Sequence, residues 1–208
     1  MEQKFVKTHF VEMNLCNILD QLGEDEAKNI LSSFSCPINK DIENFIKYKA
    51  IEFSKRTTAK THLVFWETED KENKEFVGYY TITYKVITVD RVVLSNTQAK
   101  KLKNQGVYDE AKQEYTVSAP LIAQLGKNYS GGNDTLISGA DLLYLAVNKI
   151  RNIQNEIGGR FMYLECEDNE KLLSFYKKNN FKVFGKRTLD RDETDINGEY
   201  LIQLFAMF

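Results

Sequence analysis

Histidine is scarce in this chain: there are two, His9 and His62, far apart and each in an apolar-flanked run. That leaves neither a histidine-based metal centre nor a serine-type triad with enough material, and no metal ion is expected. Cysteine is also sparse. Cys16, Cys36 and Cys166 are odd in number and lack CxxC spacing, so free, largely buried thiols are expected. The only prolines are Pro37 and Pro120. With no Pro/Gly linker, repeat or low-complexity tract, the 208 residues read as one domain, 1–208, in which 1–33 is an N-terminal elaboration and 91–115 an insertion between strands. No apolar run approaches the ~18–20 residues of a membrane span. The first residues, MEQKFVKTHFVEMN, lack a signal-peptide core, so the expected location is the cytoplasm, with no membrane partner. A net charge of −2 makes no bulk electrostatic case for nucleic acid. What remains, 42% apolar and 28% charged residues, is an ordinary globular composition.

The most informative stretch is 161–181, FMYLECEDNEKLLSFYKKNNF. Its opening run, 161–166, has the length and character of a buried strand. Asp168 or Asn169 offers an N-cap. Leu172, Leu173, Phe175 and Tyr176 recur at the spacing of one helical face, and Asn179-Asn180 supplies a left-handed stop. A further strand begins at Phe181. Asn169 and Tyr176 sit about two turns apart on that helix, on nearly the same side. On these residues alone, an amphipathic core helix and a catalytic helix remain equally open. Six basic residues, Lys171, Lys177, Lys178, Lys182, Lys186 and Arg187, run to Leu189 with no acid among them. They form either a solvated face or an anion-binding rim.

Upstream, 2–9 reads as a strand. Two short helices follow, 14–22 and 25–34, separated by Gly23. A longer helix begins near Lys40-Asp41 and frays at 55–57. Two facing strands come next, 61–66 and 76–89, with Gly78 marking a bulge or a place where a ligand approaches the backbone. A helix over 97–104 closes at Gly106. A strand over 117–125 leads into the loop GKNYSGGNDTLIS, and a helix over 139–154 turns Leu142, Leu143, Ala146, Val147, Ile150 and Ile153 inward. Strand, Gly-bearing loop and helix suit a phosphate ligand, because a helix start carries free N–H groups and partial positive charge. A Gly-Asn turn with an ordinary helix cap is the alternative. The last strand is 199–208.

Three segments together resemble the GCN5-related N-acetyltransferase (GNAT) superfamily. Asn169 followed by Phe175-Tyr176-Lys177-Lys178-Asn179-Asn180-Phe181 is similar to its C-terminal motif, with Asn180 where the family has Gly. The segment from Phe34 to Thr81, with Cys36, Ile42, Phe45, Ala50, Thr61, Gly78 and Tyr79 in matching places, resembles the TacT-like acetyltransferase toxins; Pro37 replaces a Gly. APLIAQLGKN is similar to that subgroup's central strand through Pro120 and Leu125, with Gln124 in place of Arg and Gly126 in place of Ala. The phosphate-loop signature departs further. Only Gly139 of 134–139 is kept, Asp134 stands where an anion is expected to bind, and Ile137 replaces a Gly.

The resemblance implies an α/β fold, with a mixed, mostly antiparallel sheet flanked by helices and a splayed central strand pair. It implies acetyl-coenzyme A as co-substrate, held by Gln124, Leu125, Gly126, Thr135, Ser138, Gly139, Ala140, Asn169 and Tyr176. Tyr176 is the implied acid for the departing thiolate, and backbone N–H groups near Leu125 and Gly126 the implied carbonyl polarisers. No general base stands out; Glu165 is one candidate, a strand-edge ion pair its alternative role. The acceptor is an amine: aminoacyl-tRNA contacting the 171–187 cluster, a small amine or a peptide amine. A homodimer and an antitoxin partner are compatible with the resemblance, though no motif marks either. A non-catalytic binding module with an altered cofactor loop is the alternative function.

Overall fold

The computed structural model describes residues 10–67, 73–190, 196 and 198–207; the strand expected over 2–9 lies outside them. The described chain divides into two compact units. One takes Met1–Thr81 and Gln124–Tyr144, the other Ile82–Ala123 and Leu145–Phe208. Among the described residues eight strands make one sheet in the order β1-β2-β3-β5-β6-β8-β7, with β4 paired to β5. β3 (Lys74–Asp90) and β5 (Glu114–Lys127) are long enough to contribute to both units. The sheet is mostly antiparallel and helices flank it, as the resemblance implied. No described helix is long and apolar enough to cross a membrane.

In the first unit β1 (Phe10–Asn14) pairs antiparallel with β2 (Lys60–Glu67), Phe10 opposite Trp66 and Asn14 opposite His62. Asn14 ends the strand and caps the next helix, its Oδ1 accepting from Cys16 N at 2.9 Å. Helix α1 (Leu15–Ser32) is kinked at Gly23, whose φ of 82° only glycine adopts freely. The two expected helices are therefore the two halves of α1. The chain then turns into α2 (Lys40–Asn44), capped by Asn39, and passes through a π-helical turn, Phe45–Lys49, into α3 (Ala50–Lys55). Sequence spacing could not reveal the π turn, because one extra residue in a turn leaves the apolar stripe nearly intact. Leu15, Ile18, Ala27, Leu31, Phe34, Phe45, Ile46, Leu63, Phe76 and Tyr79 form the core of this unit.

In the second unit, 91–115 is more ordered than a polar interlude. It contains a 3-10 turn, Arg91–Val93, then α4 (Asn96–Lys103) with a Ser95/Gln98 capping box, and β4 (Gly106–Asp109), which pairs antiparallel with the start of β5. Gly106 does not close the helix as expected; Asn104 does, and Gly106 opens β4, where a Cβ would lie 2.4 Å from Thr116 O. β6 (Phe161–Cys166) pairs antiparallel with β8 (Tyr200–Met207), and β8 with β7 (Lys182–Thr188), which is irregular between Val183 and Gly185. Helix α5 (Gly139–Ile157) begins in the first unit, where it buries Leu142 and Leu143, and continues in the second, where it buries Ala146 and Ile150 but leaves Ile153 exposed. Gln154 is buried in its stead, and its Nε2 donates to Phe161 O at 2.9 Å. A satisfied amide can sit inside, so an apolar-only reading of the stripe misassigned this turn.

Gly78 marks a close backbone approach, but it is β5 that approaches rather than a ligand. A Cβ there would lie 2.8 Å from Gly126 O and 3.3 Å from Leu142 Cδ2. Gly126 is equally constrained, since its Cβ would meet Ile42 Cγ2 at 2.3 Å. That contact explains glycine where the resembled family has alanine. Gly126→Ala should therefore destabilise the fold by roughly 1–3 kcal/mol in urea denaturation, and adding Ile42→Ala should recover part of the loss; unchanged stability would refute the close approach. A second prediction concerns Glu43. Its carboxyl is held down to about 2, first by the Lys47 ammonium at 2.9 Å and then by the Cys36 N–H at 2.9 Å. An unfolded-chain glutamate titrates near ~4.3, so the stabilisation is complete above that value and is lost as pH falls toward about 2. Glu43→Gln should flatten this part of the acid limb in a pH series of unfolding midpoints. An identical acid limb in the variant contradicts the assignment.

Candidate active site

The resemblance places a cofactor along the end of β5 and the loop after it. β5 pairs in parallel with β6 at only two positions, Leu121↔Tyr163 and Ile122↔Leu164. This short pairing is the expected splay, and β5 runs on through Ala123, Gln124, Leu125, Gly126 and Lys127. Gln124 turns its Nε2 to Asp41 Oδ2 of α2 at 3.0 Å.

The loop is held by two residues with no motif to announce them. Asn128, fully buried, accepts from Ser35 N at 2.9 Å and Ser130 N at 3.0 Å through Oδ1, and donates Nδ2 to Phe76 O at 2.8 Å. Lys127 Nζ donates to Asp134 O at 2.7 Å and Ile137 O at 3.2 Å. The peptide bonds are trans. The N–H groups of Thr135 and Ser138, which share peptide planes with those carbonyls, therefore point away from Lys127. Lysine thus orients two backbone donors outward and adds a positive charge behind them, an arrangement that suits an anion.

Part of that capacity is already in use. Ser138 and Asp141 form a capping pair at the start of α5. Asp141 Oδ2 accepts from Ser138 Oγ at 2.5 Å and Ser138 N at 3.3 Å, and Ser138 Oγ accepts from Asp141 N at 3.1 Å. Thr135 Oγ1 donates to Gly132 O at 2.8 Å. Both hydroxyls expected to face a phosphate are therefore bonded within the loop. Ile137 is buried, and Gly139 and Ala140 form the first residues of α5. The Ser-x-x-Asp spacing of 138–141 is a legible capping signal; Lys127 and Asn128 carry none, because their partners are backbone carbonyls and amides fixed only by folding.

The second unit holds Asn169 and Tyr176. Asn169 caps helix α6 (Glu170–Lys178), its Oδ1 accepting from Lys171 N at 2.9 Å and Leu172 N at 3.4 Å. Asn180, with φ of 68°, ends the turn in the left-handed conformation expected of it. Tyr176 is the one buried residue of α6, edge-on to Phe175 and Phe181 at 5.0 and 6.1 Å between ring centroids. Burial first, and Cys166 second, push its phenol above the ordinary tyrosine range. Burial also pushes the Cys166 thiol up to about 12, with Asp168 and Glu167 adding to the shift. Both groups keep their protons at neutral pH, so Tyr176 is unfit to be a base.

Glu165 is committed to an ion pair. Its two oxygens accept from Arg187 Nε at 2.9 Å and Gln203 Nε2 at 2.8 Å. Of the basic cluster, Arg187 also reaches Asp190 at 3.4 Å, and Lys186 stacks over Tyr200 at 4.0 Å. Lys171, Lys177, Lys178 and Lys182 are exposed. His62, the described one of the two histidines, is buried against Tyr80 at 5.0 Å. Among the described residues no group of three His, Cys, Asp or Glu side chains is placed to hold a metal ion.

No family model matches the sequence, and no curated protein matches it. Solved structures do match the fold. AtaT complexed with acetyl-methionyl-tRNAfMet aligns over 93% of each chain at 18% identity and a TM-score of 0.59. A Tyr-to-Phe variant of KacT aligns over 93% of each chain at 16% identity and a TM-score of 0.58. A Tyr-to-Phe variant of AtaT bound to the C-terminus of the antitoxin AtaR and acetyl-CoA aligns over 85% of this chain and 84% of that chain, at 16% identity and a TM-score of 0.52. At these identities the likeness is one of fold.

The three cysteines give a direct check on this description. Cys36 and Cys166 are buried, and burial holds both thiols above their ordinary range, whereas Cys16 is only partly buried. At neutral pH a thiol reagent should modify Cys16 first and reach the other two only in denaturant. Rapid native modification of Cys166 contradicts the packing around Tyr176.

Proposed function

With the GNAT-like fold of the acetyltransferase toxins AtaT and KacT as premise, we propose that this chain is an N-acetyltransferase that takes acetyl from acetyl-coenzyme A and gives it to a primary amine. The observation that carries the reading is the Lys127 clamp. It turns the peptide N–H groups of Thr135 and Ser138 away from Lys127 in the segment leading into α5, and structures that share the fold include an acetyl-CoA complex. The loop lacks the family's side-chain signature, yet backbone donors do not depend on side-chain identity.

In this reading Thr135, Ser138, Gly139 and Ala140 hold the pyrophosphate, with the Lys127 charge behind them. Gln124, Leu125 and Gly126 offer the β5 backbone to the pantetheine arm, and the N–H groups near Leu125 and Gly126 polarise the acyl carbonyl. When bound, acetyl-coenzyme A supplies an activated thioester, whose C–S bond breaks as the N–C bond to the amine forms. Tyr176 is the acid: it gives its phenolic proton to the departing sulfur and is reprotonated from solvent, where the amine's proton is released. Burial keeps the phenol protonated at neutral pH. Asn169 orders the helix that carries Tyr176. Glu165, bound to Arg187 and Gln203, is not assigned as base.

For the acceptor we favour aminoacyl-tRNA, on the likeness to AtaT complexed with acetyl-methionyl-tRNAfMet. Exposed Lys171, Lys177, Lys178 and Lys182 are the contacts for its phosphates. An antitoxin partner rests on the same likeness, through the complex of AtaT with the C-terminus of AtaR. One observation favours a second reading, a binding module without catalysis: the Asp141 carboxylate already occupies Ser138 N and Oγ at the helix start.

Coenzyme A titration separates the two. Ligand at about 100 times its dissociation constant should stabilise the protein by roughly 2.7 kcal/mol, and no thermal shift at millimolar cofactor leaves the binding module. Asp141→Asn should tighten coenzyme A and leave phosphate-free pantetheine unaffected. Tyr176→Phe should cut turnover with little change in cofactor affinity; unchanged turnover removes Tyr176 as the acid.

A further inference from the structure

The amide of Gln124 is held in one orientation. Its Nε2 donates to Asp41 Oδ2 at 3.0 Å, and a flipped amide would set oxygen against a carboxylate. Its Oε1 is thereby turned elsewhere, and it is buried with no hydrogen-bond partner. A buried acceptor without a donor is costly, and such groups in native proteins call for a reason. Asp41 beside it is half-buried, and no Lys or Arg bridges to it among the described residues. Neighbouring Lys40 and Lys47 both reach Glu43 instead. The nearby phenol of Tyr79 is committed too, donating to Ile42 O at 2.6 Å.

We infer that Gln124 Oε1 and the Asp41 carboxylate form the seat for the acceptor's amino group. The inference rests on the acetyltransferase reading. Two acceptors on side chains bonded to each other, one of them anionic, match a protonated primary amine, which brings charge and N–H donors together. Once the amine has shed one proton to water, its two remaining N–H bonds still satisfy both oxygens, and its lone pair is left free. The charge of Asp41 favours an amine over a neutral amide N–H, such as those of pantetheine. Gln124 as a whole is only half-buried, while its Oε1 is covered, so a ligand reaches that oxygen only once a neighbouring side chain moves aside. Gln124 therefore contributes its backbone to one substrate and its side chain to the other.

The test uses the full chain without acetyl-coenzyme A and calorimetric titration with methionine methyl ester. Its trimethylated form (a cation without N–H), its α-hydroxy counterpart and pantetheine complete the series. The amino ester should bind, and the trimethylated and hydroxy esters should bind at least about tenfold more weakly. Asp41→Asn and Gln124→Leu should each weaken the amino ester by a similar factor, while circular dichroism shows that they fold. Asp41→Asn keeps shape and removes only charge, so it decides the matter if Gln124→Leu fails to fold. Equal binding of all three esters, no binding of the amino ester, or loss of pantetheine rather than ester in the variants would each overturn the seat. A coenzyme A thermal shift on the same proteins separates the two ideas. Its absence in the unsubstituted chain removes the acetyltransferase reading, whereas its presence together with unaltered ester binding in both variants removes only the seat.

Discussion

Asn128 is the residue on which the candidate cofactor loop depends. It is buried, its main-chain N–H donates to Val77 O at 2.9 Å, and its side chain serves Phe76 O, Ser35 N and Ser130 N. A single amide thus joins the start of β3, the turn after α1 and the loop after β5. Buried amides of this kind rigidify because every unmade bond is expensive in a low dielectric. With β5 pinned there, a Cβ on Gly78 would meet Gly126 O, and a Cβ on Gly126 would meet Ile42. Lys127, the residue before Asn128, is then in reach of Asp134 O and Ile137 O.

From this brace the chemistry of the loop follows. The resembled family uses glycines and a basic or amide side chain to expose donors to phosphate. Here Ile137 is buried and Lys127 takes the carbonyls of Asp134 and Ile137, so the loop is held by a lysine instead of by that signature. The helix start is capped by its own Asp141, which serves as an internal anion at the place proposed for an external one.

Around Tyr176 the constraint is burial rather than hydrogen bonding. Phe175, Phe181 and Cys166 surround a phenol that stays protonated, and Asn169 and Asn180 set where its helix starts and stops. Glu165 on β6 and Arg187 on β7, a candidate base and part of a candidate anion site in the sequence, pair with each other across the intervening β8.

The sequence alone determined the elements whose signals are local. The strand at 161–166, a cap at Asp168 or Asn169, a stop at Asn179-Asn180 and the helix beginning at Gly139 were all readable, because each is set by periodicity or capping within a few residues. So was the fold class, through the order of those elements. Only the tertiary structure decided which polar groups meet. Gln124 with Asp41, Lys127 with two loop carbonyls, Asn128 with Ser35 and Phe76, and Glu165 with Arg187 and Gln203 are contacts between distant segments or with backbone. No spacing along the chain encodes them, because hydrogen-bond partners are chosen by geometry in space once the apolar faces have packed.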